Sequence, residues 1–70
     1  MHKLKLNTNI FTKDHIIKAA EAYKDICKIA ITEEDGYIFC EFTDCIYCID
    51  ETVKEFENYV IDLMNTDIAV

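Results

Sequence analysis

Lys3-Leu4-Lys5-Leu6-Asn7 alternates charged and apolar residues with a period of two, the pattern of a half-buried strand whose lysines suit a sheet edge. Thr8-Asn9-Ile10-Phe11 then leads to Thr12, whose hydroxyl can cap a helix, with Asp14 in the first turn facing the positive end of the dipole. Ile16, Ala20, Tyr23 and Cys27 recur at helical spacing, and Ile17, Ala19 and Ile26 widen the stripe, which predicts an amphipathic helix to about Ile26. Its alanines are small enough to let the helix lie close on a sheet.

Lys28 to Thr32 and Tyr37 to Phe42 are rich in β-branched and aromatic residues, and Glu33-Glu34-Asp35-Gly36 between them supplies turn chemistry, so they read as an antiparallel hairpin. Alternation puts Ile29, Ile31, Ile38, Cys40 and Phe42 on the helix-covered face, with Tyr37 and Phe39 on the other. Thr43 to Ile49 is ambiguous: Asp44 suggests a turn, while Cys45 to Ile49 fits a short strand or a buried connection. Asp50 resembles an N-cap, and Val53, Phe56, Val60, Leu63 and Met64 define a closing helix to about Asn65.

The expected fold class is therefore α+β in the order β-α-β-β-α, a small antiparallel sheet with two helices packed on one face. Residues 1–70 form a single domain with an ordered core at about 3–65 and a frayed end at 66–70. Strand order is not determined by the pattern.

Charge changes the picture of partners. Up to Cys27 and Lys28, six lysines face Asp14, Glu21 and Asp25; beyond them Lys54 alone faces eleven carboxylates, and the whole chain carries −7. An acidic surface of this kind repels phosphate backbones, which argues against nucleic acid and favours a basic peptide or protein face, although carboxylates also simply keep a small apolar domain soluble. No apolar run approaches the roughly 20 residues that cross a bilayer, and Met1-His2-Lys3 leads into alternating lysine and leucine rather than an apolar signal block, so the protein is expected in the cytoplasm and off the membrane.

In that compartment the four cysteines are expected to be reduced thiols or metal ligands. Cys40, Cys45 and Cys48 have the C-x4-C-x2-C spacing of the first ligands of plant-type two-iron ferredoxins, with Cys27 as a possible fourth. Glu41-Phe42-Thr43-Asp44 and Ile46-Tyr47 are bulky where that cluster needs turn-forming residues, and Cys27 lies on the wrong side of the trio. Cys40 and Cys27 read instead as core residues, while Cys45 and Cys48 have a bite suited to zinc or a disulfide. His2 and His15 are remote from them, and no triad or catalytic carboxylate pair emerges from spacing. The expectation is no enzyme and no cofactor, with a zinc or iron–sulfur protein using Cys40, Cys45 and Cys48 as the alternative.

Three segments resemble the HxsD-like family, small accessory proteins of radical SAM peptide-modifying systems. Ile16-Ile17-Lys18-Ala19-Ala20-Glu21-Ala22-Tyr23 resembles its alanine-centred first helix, Ile29 to Phe42 its hairpin, and Val53 to Asp62 its closing segment with a Phe-x-Asn core. The resemblance covers about residues 4–65 and carries over no catalytic residue. It implies participation in maturing a ribosomally synthesised, modified peptide, with a precursor peptide or the radical SAM enzyme as partner.

The expected function is accordingly a non-enzymatic adaptor. It would bind through a sheet edge by strand addition or through the groove between the first helix and the hairpin, with Tyr37, Phe39, Glu33, Glu34, Asp35 and Glu41 supplying selectivity. A homodimer packing Phe11, Tyr37, Phe39 and Tyr47 against a second copy is a further expectation.

Overall fold

The computed structural model describes residues 2–68, ordered as β1 (His2–Asn7), α1 (Lys13–Ala22), β2 (Lys28–Glu34), β3 (Tyr37–Thr43) and α2 (Ile49–Ile68). The α+β class and the β-α-β-β-α order are those the pattern predicts. Strand order is β1-β3-β2, with β3 antiparallel to both neighbours. β1 and β2 therefore run parallel to each other with β3 between them, and each leaves one edge unpaired.

Asp35 and Gly36 have φ of 51° and 81°, the left-handed conformations that let a two-residue turn join β2 to β3 without breaking their twist. Thr8 fastens β1 to this turn, its backbone N–H and its hydroxyl both donating to the Gly36 carbonyl, at 3.0 and 2.7 Å. The register pairs Leu4 with Cys40 and Leu6 with Ile38 on one side of β3, and Ile29 with Phe42 and Ile31 with Cys40 on the other. One face of the sheet is thus apolar across all three strands, as alternation predicts.

Over that face α1 contributes buried Ile16 and Ala19, and α2 contributes buried Phe56 and Val60. Phe56 meets Phe42 edge-on at 5.2 Å between ring centroids and Tyr23 at 5.5 Å, so one side chain joins α2 to the sheet and to the end of α1. Among the described residues Thr52 is the one buried polar residue, and its hydroxyl is satisfied by donating to the Cys48 carbonyl at 2.9 Å.

Boundaries differ from expectation in three places. α1 stops at Ala22 rather than Ile26, because the chain must reverse within a few residues to bring Lys28 opposite Thr43; Ile26 and Cys27 both donate their N–H to the Tyr23 carbonyl in that turn. Thr12 does occupy the N-cap position with extended backbone, but its hydroxyl makes no capping bond. α2 begins at Ile49, so Asp50 lies in its first turn and pairs with His2 at 2.9 Å, and it continues through Ile68 rather than ending near Asn65. Ala69 and Val70, expected to fray, lie outside the described residues.

Candidate functional site

The residues expected to recognise a partner fall into two groups. Tyr37, Phe39 and Glu41 share the helix-free face of the sheet with Glu34, because they alternate with the buried Ile38, Cys40 and Phe42. Lysines of β1 lie over their rings: Lys5 Nζ is 4.2 Å from the centroid of Tyr37 and Lys3 Nζ 5.6 Å from that of Phe39, while Lys3 also reaches Glu41 at 3.7 Å. The aromatic surface is thereby engaged within the chain. Glu33 turns to the opposite face and holds Lys13 of α1 at 2.9 Å, and Asp35 stands apart in the turn. Of the residues expected at a homodimer surface, Tyr47 is exposed, whereas Phe11 packs against the core.

The unpaired edge of β2 has a different character. Glu34 and Tyr37 close a two-residue hairpin, so Glu34, Thr32, Ala30 and Lys28 turn their backbone groups toward β3, and Ile29, Ile31 and Glu33 turn theirs outward. Beside that edge lies an open groove of 290 Å³ between α1 and β2, floored by Ile17, Ala20, Ile29 and Ile31 and rimmed by Glu21 and Lys24. Along this groove the inner side of β2 is only half covered: Ile29 and Ile31 keep partial exposure, while α2 packs toward β1, the opposite edge of the sheet. Ile17 likewise remains 41% exposed. Its position in the helical stripe is legible in the sequence; that it faces a groove is not.

The cysteines are not gathered as the alternative metal reading has them. Cys27 is bonded to Cys45, Cys40 is a buried free thiol inside the sheet core, and Cys48 is an exposed free thiol. This differs from the expectation of reduced thiols or metal ligands, and from the zinc-or-disulfide bite read at Cys45 and Cys48: the turn after α1 carries Cys27 to the loop after β3, where the Ile46 N–H also donates to the Ile26 carbonyl at 2.9 Å. Connectivity of this kind is invisible to spacing. Among the described residues no group of three His, Cys, Asp or Glu side chains could hold a metal ion.

Burial pushes the Cys40 thiol up from its ordinary 9.0 to about 11. The unfolded chain therefore gives up this proton at lower pH than the folded one, so the stabilisation is complete below about pH 9 and drains away as the pH rises toward about 11. Tyr23 acts in the same sense, raised first by desolvation and then by Glu55 and Tyr59. Urea midpoints are expected to fall over this interval in the wild type, and to fall less steeply in Cys40→Ala.

These features define a small α+β module with an open strand edge, an apolar groove beside it and a disulfide-tied loop. No family model, curated protein or solved structure matches the chain. Among the described residues no helix is long and apolar enough to cross a membrane.

Proposed function

We propose that this protein is a non-enzymatic binding module that takes an extended peptide segment along the free edge of β2. The observation that carries the reading is the coincidence of two complementary elements: the outward backbone groups of Ile29, Ile31 and Glu33, and the apolar groove into which Ile29 and Ile31 face. Strand addition draws affinity from backbone hydrogen bonds and selectivity from pockets for alternate side chains. One side of an added strand would lie over the groove. The other would lie beside Glu34 and Thr32, where basic residues suit the acidic half of the chain.

Resemblance to the HxsD-like accessory proteins suggests the biological partner: a precursor peptide on its way to modification, or a segment of the radical SAM enzyme that modifies it. A cytoplasmic location accompanies this reading, and there the Cys27–Cys45 bond would face a reducing glutathione pool.

An alternating lysine–valine heptapeptide serves as the probe. Titration followed by NMR is expected to shift the amides of Ile29, Ile31 and Glu33 saturably. Ile31→Pro removes an outward N–H without touching the ladder to β3, and is expected to weaken binding at least about tenfold while the fold persists. Shifts confined to other surfaces, or affinity unchanged in Ile31→Pro, would sink the reading.

A further inference from the structure

The Cys27–Cys45 bond and the exposed Cys48 thiol lie three residues apart on the chain, joined by the short irregular loop from Cys45 to Cys48. The geometry points to an internal exchange in which Cys48 takes Cys45 from Cys27, converting a cross-link between distant segments into a local C-x2-C disulfide. This inference stands independently of the peptide-binding reading.

The chemistry needs no external oxidant or reductant. The Cys48 thiolate attacks Sγ of Cys45; the Cys45–Cys48 S–S bond forms as the Cys27–Cys45 bond breaks, and the electron pair leaves on Cys27 Sγ, which takes a proton from solvent. The number of disulfides is unchanged, so nothing is oxidised or reduced overall.

Accessibility selects the participants. Cys48 is exposed and Cys45 only half buried, whereas Cys27 is 2% exposed and Cys40 fully buried, so attack by solvent-side thiol falls on the Cys45 sulfur. Residues 44–48 belong to neither β3 nor α2, and the loop's backbone is held to the rest of the fold by the Ile46 N–H to Ile26 carbonyl bond. Cys48 is anchored at the start of α2, its carbonyl accepting from the N–H and the hydroxyl of Thr52, each at 2.9 Å, so closing a Cys45–Cys48 bond is a movement of residues 44–47 toward Cys48.

The leaving group is also provided for. Cys27 Sγ lies 3.3 Å from the Thr43 carbonyl oxygen and 3.8 Å from that of Lys28. While bonded to Cys45 the sulfur has no hydrogen to donate; once released, the thiol has acceptors already in place. After exchange the loop following β3 would still be held by the Ile46 N–H to Ile26 carbonyl bond and by the Lys28–Asp44 ion pair, without the covalent link.

Trypsin separates the partners cleanly, because Cys27 lies in Asp25–Lys28 and the other three cysteines lie between Ile29 and Lys54. The native protein is incubated at mildly alkaline pH without added thiol, quenched with acid and N-ethylmaleimide, and digested without reduction for mass spectrometry. The expected products are a released, singly labelled Asp25–Lys28 and a 29–54 peptide holding one label and an internal disulfide. Their yield should fall at least about tenfold in Cys48→Ser and persist in Cys40→Ser. The inference is overturned if the two peptides stay linked in the wild type, if Cys48→Ser releases as much, if Cys40→Ser abolishes release, or if all four thiols of the untreated protein are labelled.

Discussion

Phe56→Ala is expected to lower unfolding free energy by about 3–5 kcal/mol, the range for removing a fully buried aromatic side chain. Phe56 is completely buried and meets Phe42 and Tyr23 in edge-on contacts, so its loss opens a cavity bordered by the sheet, α1 and α2 at once. A chain of this length has a total stability of roughly 4–10 kcal/mol, which leaves the variant at the margin of folding. Chemical denaturation monitored by far-ultraviolet circular dichroism would show a midpoint near zero denaturant, or no transition. Replacement of exposed Ile61 by alanine offers the contrast, since that residue lies outside the core cluster. Equal losses from the two substitutions would contradict the packing described above.

The second large effect is expected from the disulfide. Cys27 and Cys45 are separated by 18 positions, and closing a loop of that length restricts the unfolded chain enough to stabilise the fold by about 3 kcal/mol. The denaturation midpoint of the wild type should therefore drop when reductant is added. Cys45→Ser should match the reduced wild type and be insensitive to reductant. Cys45 sits on a loop and is only half buried, so the substitution adds little packing loss of its own. A wild-type midpoint indifferent to reductant would mean that the bond restrains nothing the fold does not already hold.

The disulfide bears on function through the strand it adjoins. Cys27 is the last residue before β2, the strand whose outer edge and inner groove form the proposed peptide site. Its bond to Cys45 braces the turn from which β2 departs, while the Thr8 bonds to Gly36 brace the hairpin end of the same sheet. Strand addition favours a rigid edge, because ordering a mobile strand would consume binding free energy. The open face reads differently: the ammonium groups of Lys3 and Lys5 lie over the half-buried rings of Phe39 and Tyr37, so part of that aromatic surface is already engaged.

Local pattern determined the type and order of the elements of this protein, though not where α1 and α2 end. Period-two alternation places Leu4, Leu6, Ile29, Ile31, Ile38, Cys40 and Phe42 on one face, and helical spacing selects Ile16, Phe56 and Val60 for burial, because side-chain direction follows directly from backbone geometry. The turn at Asp35-Gly36 is equally local, since few residues accept positive φ. What the tertiary structure alone decided is how these pieces meet. β3 rather than β2 takes the centre of the sheet, α2 packs toward β1 at the edge away from the groove, and Cys45 meets Cys27 instead of Cys48. Each of these depends on long-range packing and on how far the intervening turns let the chain reach, quantities with no periodic trace in the sequence. The groove beside β2 follows from the same packing, and so the residues of the proposed binding edge are recognisable only once the strands and helices are assembled.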